Sequence, residues 1–239
     1  MPAVRSEYPS VVIIPARGGS QRIPNKNIRH VLGEPALSRV ISLCRESRIA
    51  DRVVVSTDSE QIAQLALDAG AEVPFERPHN LADAHSGIIQ VIQHAVRELS
   101  LIPRTAVTCV YATAFTLDPA DLARGMKTLR ESSGDAFVVS VTPFDYPIQR
   151  ALQMDSNGLL TMLEQDHLGT RSQDLPERWH DAGQFIVGTA ETWLAASSVW
   201  NRAIGIPVAH WRAIDIDTEE DWQHAELLLR AIELQSADR

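Results

Sequence analysis

Val11-Val12-Ile13-Ile14-Pro15-Ala16-Arg17-Gly18-Gly19-Ser20-Gln21-Arg22-Ile23-Pro24-Asn25-Lys26-Asn27 is an apolar run of strand character that breaks into a glycine-bearing loop with three cations. The run Val11–Ala16 has no polar alternation, the pattern of a strand covered on both faces. The loop suits an anionic ligand. Glycine lets backbone N–H groups approach phosphate oxygens, and Arg17, Arg22 and Lys26 neutralise the charge. A solvated basic turn would explain the cations alone, but not their coincidence with Gly18, Gly19 and a preceding strand. The loop has neither the G-x-x-x-x-G-K-[ST] spacing of a Walker P-loop nor the G-x-G-x-x-G dinucleotide fingerprint. P-loop NTPase and NAD chemistry are both disfavoured, and a nucleoside triphosphate in a differently built cradle is expected.

Outward from this loop, strand and helix patterns alternate. Pro35–Ser47 reads as a helix, with Leu37, Val40, Ile41 and Cys44 on one face. Arg52–Ser56 is a second buried strand. Asp58 is read as the cap of the next helix, with Gln61 as its capping-box partner and Gly70 as its stop. Glu72–Glu76 is read as a short strand and Asn80–Ser86 as polar loop. Gly87–Leu99 is helical, Ala106–Tyr111 a strand, and Asp118-Pro119 opens a further helix. Ala136–Val141 is another strand. Apolar strands joined by helical patterns give βαβ units, so the fold class is α/β, with a mainly parallel twisted sheet and helices on both faces. Ligands of such sheets bind outside the carboxyl ends of the strands. The opening loop, Ser56-Thr57-Asp58 and Tyr111-Ala112-Thr113 all follow strands at that edge.

Beyond Val141 the alternation fails. Residues 143–182 read as an irregular insertion containing an Asn157-Gly158 hairpin turn. Gln184–Val187, Ala203–Val208 and Arg212–Ile216 are expected strands, with Glu191–Ala196 helical. Thr218–Ile232 is the closing helix, and Gln235–Arg239 is expected to fray.

The 239 residues, 44% hydrophobic, suit one domain with a well-formed core. No apolar run of about 18 residues exists, and no apolar signal core precedes the first strand, so a cytoplasmic location without membrane contact is expected. Cys44 and Cys109 each sit in an apolar pattern and are read as buried thiols. The net charge of −9, without a broad basic stripe, disfavours nucleic acid as a partner.

A second chemical constellation is Ile214-Asp215-Ile216-Asp217-Thr218-Glu219-Glu220-Asp221. Period-two geometry puts Asp215 and Asp217 on one face and the isoleucines on the other. Two hard oxygen ligands on one edge suit Mg2+, which takes one or two carboxylates plus substrate phosphates. Helix capping is the competing explanation, but Thr218 and Asp221 already form a capping box.

With these residues in place, the chain resembles the CMP-sialic acid synthetase (acylneuraminate cytidylyltransferase) family. The resemblance rests on Arg17-Gly18-Gly19-Ser20 with Lys26-Asn27, Val55-Ser56-Thr57-Asp58, Arg77-Pro78 with Leu81-Ala82-Asp83, and Ile214-Asp215-Ile216-Asp217-Thr218. It spans about residues 10 to 230. Tyr111-Ala112-Thr113-Ala114, Pro147-Ile148-Gln149-Arg150-Ala151-Leu152, Arg171-Ser172-Gln173-Asp174-Leu175 and His180-Asp181-Ala182-Gly183-Gln184-Phe185 are most similar to the pseudaminic acid cytidylyltransferases.

The resemblance implies a Rossmann-like nucleotidyltransferase fold and transfer of CMP from CTP to the anomeric hydroxyl of a nonulosonic acid, most closely pseudaminic acid, with release of pyrophosphate. Sialic, legionaminic or 3-deoxy-manno-octulosonic acid are alternative acceptors, and a non-catalytic nucleotide-binding regulator is the alternative outside the enzyme class. It assigns Arg17, Gly18, Gly19, Ser20, Gln21, Arg22, Lys26, Asn27, Ala82 and Asp83 to CTP. Tyr111, Gln149, Arg150, Arg171, Gln173, His180, Asp181 and Gln184 are assigned to the sugar, and Asp215 and Asp217 to Mg2+. Arg17, Lys26, Asp215 and Asp217 form the expected catalytic set. It further implies a homodimer built through the insertion. It departs from the family at Gln21, where a lysine usually follows the loop serine; Arg22 next to it could supply the charge.

Overall fold

The computed structural model describes residues 9–20, 22–83 and 86–237. Gln21, Ala84 and His85 lie outside the described residues, as does the expectation placed on Gln21.

In chain order the strands are β1 (Ser10–Pro15), β2 (His30–Val31), β3 (Glu34–Pro35), β4 (Arg52–Ser56), β5 (Ala106–Val110), β6 (Phe137–Pro143), β7 (Leu152–Met154), β8 (Leu160–Met162), β9 (Trp179–Thr189) and β10 (Ala203–Pro207). The helices are α1 (Ala36–Glu46), α2 (Glu60–Asp68), α3 (Ile88–Glu98), α4 (Pro119–Glu131), α5 (Ala190–Ala195) and α6 (Glu219–Ala237). The six-stranded sheet has the order β10-β6-β9-β5-β1-β4. β1 pairs in parallel with β4 and β5, and β10 with β6. β9 runs antiparallel to both of its neighbours. The carboxyl ends of the five other strands and the start of β9 therefore share one edge.

β1 shows why the sheet is sandwiched. Val12 and Ile14 enter one core cluster with Leu37, Val40, Ile41, Leu122, Trp222 and Leu229. Val11 and Ile13 enter the other with Ile92, Ala95 and Trp193. Helices α1, α2, α4 and α6 thus cover one face, and α3 and α5 the other, which is why every residue of β1 had to be apolar or small. Cys44 and Cys109 are free and buried; burial pushes the Cys44 thiol up to about 12.

Several expectations are corrected. Arg212–Ile216 is not a strand: His210–Arg212 is a 3-10 turn and residues 213–217 pair with no strand. Ile216 still buries in the core and Ile214 packs against it, so the alternation is real without a ladder. Glu72–Glu76 contributes only one bridge, Val54 to Glu72. Ser59, not Asp58, caps α2, its hydroxyl accepting the Ile62 N–H. Residues 179–182, read as the end of the insertion, open β9, and α6 continues through Ala237, past the expected fraying at Gln235. The Asn157-Gly158 turn joins β7 to β8, with Gly158 at φ +83 and the Asp155 carboxylate accepting the Asn157 and Leu159 N–H groups. Among the described residues, no helix is long and apolar enough to cross a membrane.

Gly125 marks where α4 presses on β9. A Cβ there would sit 2.7 Å from Phe185 Cε2, and Phe185 is fully buried. Gly125→Ala gains about 1 kcal/mol of helix propensity, but overpacking a closed core costs roughly 1–3 kcal/mol. The clash wins: a thermal melt of Gly125→Ala is expected to show Tm lowered by about 2–4 °C, and a raised Tm would mean that the Phe185 ring gives way.

Candidate active site

The opening loop is fastened to the sheet edge by its backbone. The Gly18 N–H donates to Asp58 Oδ1 at 2.9 Å. The fit is close: a Cβ on Gly18 would lie 3.0 Å from Ser59 Cβ. The Asn27 side-chain amide donates to the Arg17 carbonyl at 3.0 Å, and the Asn27 carbonyl receives the Leu37 N–H. Asn27 is therefore a buried strut that closes the loop over the start of α1. Gly19 is exposed with nothing against it, and the Ser20 N–H turns back onto the Gly18 carbonyl. Arg17 Nη1 donates to the Asp83 carbonyl at 2.7 Å, which joins the loop to the Leu81-Ala82-Asp83 segment.

Across the edge, the loop meets the other end of the chain. Lys26 Nζ donates to the Ile216 carbonyl at 2.5 Å and lies 3.9 Å from Asp217 Oδ1. Arg22 Nη1 lies 2.6 Å from Asp217 Oδ2. Burial lowers the Lys26 ammonium, with Asp217 and Asp215 pulling the other way and Arg22 and Arg17 adding to the fall. Asp215 is raised, first by burial and then by Asp217 beside it.

The third wall is the start of β9. Asp181 is raised by burial, with Asp215 adding repulsion, although its Oδ1 accepts the Gly183 N–H at 2.8 Å. Gly183, at φ +65, backs onto Asp215, whose Cβ would be 3.9 Å from an added methyl. Gln184 Nε2 donates to the Arg212 carbonyl at 2.8 Å. Tyr111 takes the Gln184 carbonyl on its N–H, and burial pushes its phenol upward, with Cys109, Asp181 and Asp215 contributing. His180 packs on Phe144, with ring centroids 4.6 Å apart.

Arg17, Arg22, Lys26, Tyr111, Asp181, Gln184, Asp215 and Asp217 thus share one neighbourhood. The insertion residues do not join it by contact. Gln149 is buried and donates to the Pro176 carbonyl. Arg150 donates to the Thr170 carbonyl, and Arg171 pairs with Asp174 at 2.7 Å. Gln173 is exposed. Among the described residues no group of three or more His, Cys, Asp or Glu is arranged to hold a metal. A divalent cation at Asp215 and Asp217 would need ligand oxygens from elsewhere, as Mg2+ on a triphosphate has.

Two supporting residues, Asp58 and Arg77, stand in motifs that carry the resemblance but receive no site role from it. The sequence marks Asp58 as a cap, yet Asp58-Ser59 offers two capping residues where one suffices, and the spare one holds Gly18. Arg77 is buried beneath the loop, its guanidinium donating to the Ser56 hydroxyl at 3.2 Å and to the Ser56 carbonyl. Burial pulls it down to about 10. A cavity of about 660 Å3 lies at the opposite sheet edge, where Ala106 and Phe137 begin strands. Among its polar groups, Arg202 pairs with Asp135 and the Thr192 hydroxyl donates to the Gly134 carbonyl.

A cytidylyltransferase family profile matches residues 11–192. The chain is 38% identical over 224 residues to the pseudaminic acid cytidylyltransferase of Campylobacter jejuni subsp. jejuni serotype O:2, covering 92% of this chain and 96% of that protein. It is 30% identical over 233 residues to the CMP-N,N'-diacetyllegionaminic acid synthase of Legionella pneumophila subsp. pneumophila, covering 92% and 95%. A solved CMP:2-keto-3-deoxy-manno-octonic acid synthetase complexed with CTP shares the fold, with a TM-score of 0.68 at 13% identity over 93% of this chain and 99% of that one.

The raised Asp215 carboxyl has a consequence for stability. The folded chain holds that proton more tightly than the unfolded chain, so ionised Asp215 costs stability near neutral pH. Below about pH 4 both states are protonated and the cost disappears. Asp215→Asn is expected to raise Tm slightly near neutral pH without divalent ions, the gain being small because the side chain is solvent-screened. Differential scanning fluorimetry across pH should show the gain shrinking as pH falls; a lowered Tm near neutral pH would contradict the repulsion.

Proposed function

The chain belongs to the cytidylyltransferase family, and on that premise we propose that it transfers CMP from CTP to the anomeric hydroxyl of pseudaminic acid, a nonulosonic acid, releasing pyrophosphate. The observation that carries the reading is the meeting of the cationic loop with Asp215 and Asp217 at one strand edge. The higher identity to the pseudaminic acid enzyme than to the legionaminic acid enzyme favours that acceptor. The reaction belongs in the cytoplasm, where CTP is available.

In this reading the Gly18-Gly19 loop, Arg17, Arg22 and Lys26 receive the triphosphate. Little covalent work falls to the protein, so positioning and fixed charge supply most of the acceleration. Arg22 is the mobile member. Its side chain is 70% exposed and rests on Asp217, an ion pair of small net worth, so it can swing to phosphate. Lys26 stays fixed by the Ile216 carbonyl, with Asp217 and Asp215 supporting its charge against burial. Moving Arg22 frees Asp217, which with Asp215 presents the oxygens that would hold Mg2+. Bound there, Mg2+ would neutralise phosphate charge and acidify the attacking hydroxyl. The Asp215 carboxylate is the candidate proton acceptor. Tyr111, Asp181, His180 and Gln184 stand on the acceptor side.

The insertion supports a homodimer. Leu152, Met154, Leu159, Leu160, Leu163 and Leu168 are each more than half exposed. They cluster on the β7–β8 hairpin and the turn after it, and an apolar patch of that kind marks an interface. A second copy is the proposed occupant. Arg150, Arg171 and Gln173, which do not reach this chain's own carboxylates, would then serve the partner's acceptor pocket, while Gln149, buried on the Pro176 carbonyl, would brace the segment that carries them.

Pyrophosphate release with CTP and Mg2+ should be fastest with pseudaminic acid in a panel including sialic, legionaminic and 3-deoxy-manno-octulosonic acids. Asp217→Ala should lower the rate by at least about 100- to 1,000-fold with the fold intact by circular dichroism. CTP binding with no turnover of any acceptor would instead indicate a nucleotide-binding regulator. For the dimer, light scattering should give twice the chain mass for the wild type and one chain mass for a Met154→Asp/Leu160→Asp double variant; a dimer that survives both changes places the interface elsewhere.

A further inference from the structure

β9 changes register in mid-strand, and the change falls at the site. Val139 of β6 pairs with Ile186, but Val141 pairs with Asp181. One residue on β6, Ser140, therefore faces four on β9, Ala182 to Phe185, and three of them are in excess of a regular ladder. On its other side β9 stays regular, pairing Val110 with Phe185, and the Tyr111 N–H continues onto the Gln184 carbonyl. The bulge is thus one-sided, and bulges of this kind re-aim side chains beside active sites.

A bulge leaves backbone groups unpaired, and buried ones must find partners. Here the Ser140 hydroxyl replaces the missing ladder. It accepts the Phe185 N–H at 3.0 Å and donates to the Phe185 carbonyl at 3.2 Å, and Ser140 is fully buried. The residues lifted out are the ones that touch the carboxylate segment. Gly183 backs onto Asp215, and Gln184 grips the Arg212 carbonyl. The Thr116 hydroxyl shares that carbonyl at 2.7 Å. The chain from Arg212 to Asp217 has no strand partner of its own, so these grips fix where Asp215 stands.

We infer that Ser140 is a positioning residue for the transfer reaction: its buried hydroxyl pins the β9 bulge, and the bulge sets the position of Asp215. The inference rests on the transferase reading for its kinetic consequence, and on geometry alone for its structural one. Ser140 touches no substrate. It acts through Phe185, Gly183 and Gln184.

Ser140→Ala removes both hydrogen bonds from the hydroxyl to the Phe185 backbone. It is expected to lower kcat roughly 10- to 100-fold, the scale of a displacement of about 1 Å. KM for CTP should stay within about twofold, and calorimetric titration should still find one CTP per chain, because Gly18 and Arg17 keep their anchors on Asp58 and Asn27, which do not touch the bulge. Hydrogen exchange should accelerate in peptides covering residues 181–186 and also in those covering 213–217, far away in sequence. Val107→Ala, a core truncation on β5, serves as the control: it should lower Tm without changing exchange at 213–217. Should Ser140→Ala fail to fold, Ser140→Cys keeps the volume, weakens the hydrogen bonds and carries the same test. Unchanged kcat, or unchanged exchange at 213–217, would overturn the inference. A wild-type chain that turns over no nonulosonic acid would overturn the transferase reading instead, and the exchange comparison, which needs no substrate, would still decide the role of Ser140.

Discussion

Lys26 holds the two ends of the chain together. Its ammonium donates to a carbonyl 190 residues away and stands within ion-pair distance of Asp217. A half-buried ammonium is disfavoured by desolvation, and the fall in its pKa shows that this cost is not fully offset. The carboxylates beside it are in the reverse position, since burial and mutual repulsion raise Asp215. Each sign of charge is tolerable only because the other is close. The opening loop and the segment before α6 are therefore held in place by each other.

That edge exists because β1 is apolar throughout. A strand covered on both faces must lie between two layers of helices, and the loop that leaves β1 emerges at the carboxyl edge between β5 and β4. Asp58, two residues past β4, then takes the Gly18 N–H, and the buried Arg77 is bonded to Ser56 at the strand's end. The glycine is needed for a reason separate from any ligand: Ser59 leaves almost no room for a Cβ.

What the sequence made legible follows the same logic. β1, β4 and β5 announce themselves by apolar composition, and α4 by Asp118-Pro119, whose carboxylate does cap the helix. The Thr218–Asp221 capping box is formed as read, with Asp221 Oδ2 also taking the Asp217 N–H. β9 was only half legible. Trp179-His180-Asp181-Ala182-Gly183-Gln184 has the residues of a loop, and local propensity is overruled there by two strand neighbours and by one serine hydroxyl. Residues 212–217 failed in the opposite sense. Their alternation was genuine, but the backbone acceptors a strand would use are taken by side chains: the Arg212 carbonyl by Thr116 and Gln184, and the Ile216 carbonyl by Lys26. Asp181 was assigned to the sugar on resemblance alone, and its place against Asp215 depends on a register change that no spacing rule reveals.

The charges at the edge come close to balancing: Arg17, Arg22 and Lys26 face Asp181, Asp215 and Asp217. Without ligand the set can rest neutral, with Arg22 on Asp217. A triphosphate alone would add negative charge beside three carboxylates, and a divalent cation alone would have to displace Arg22. Under the proposed reading, the two arriving together would each remove the other's obstacle: the phosphates would draw Arg22 away, and Asp217 and Asp215 would then be open to hold the cation. Lys26, tied to a backbone carbonyl rather than to a carboxylate, would stay in place in that exchange, so on the proposed reading the fixed and the exchangeable cation have separate tasks. Arg22 is exposed and Lys26 half-buried, as that division requires.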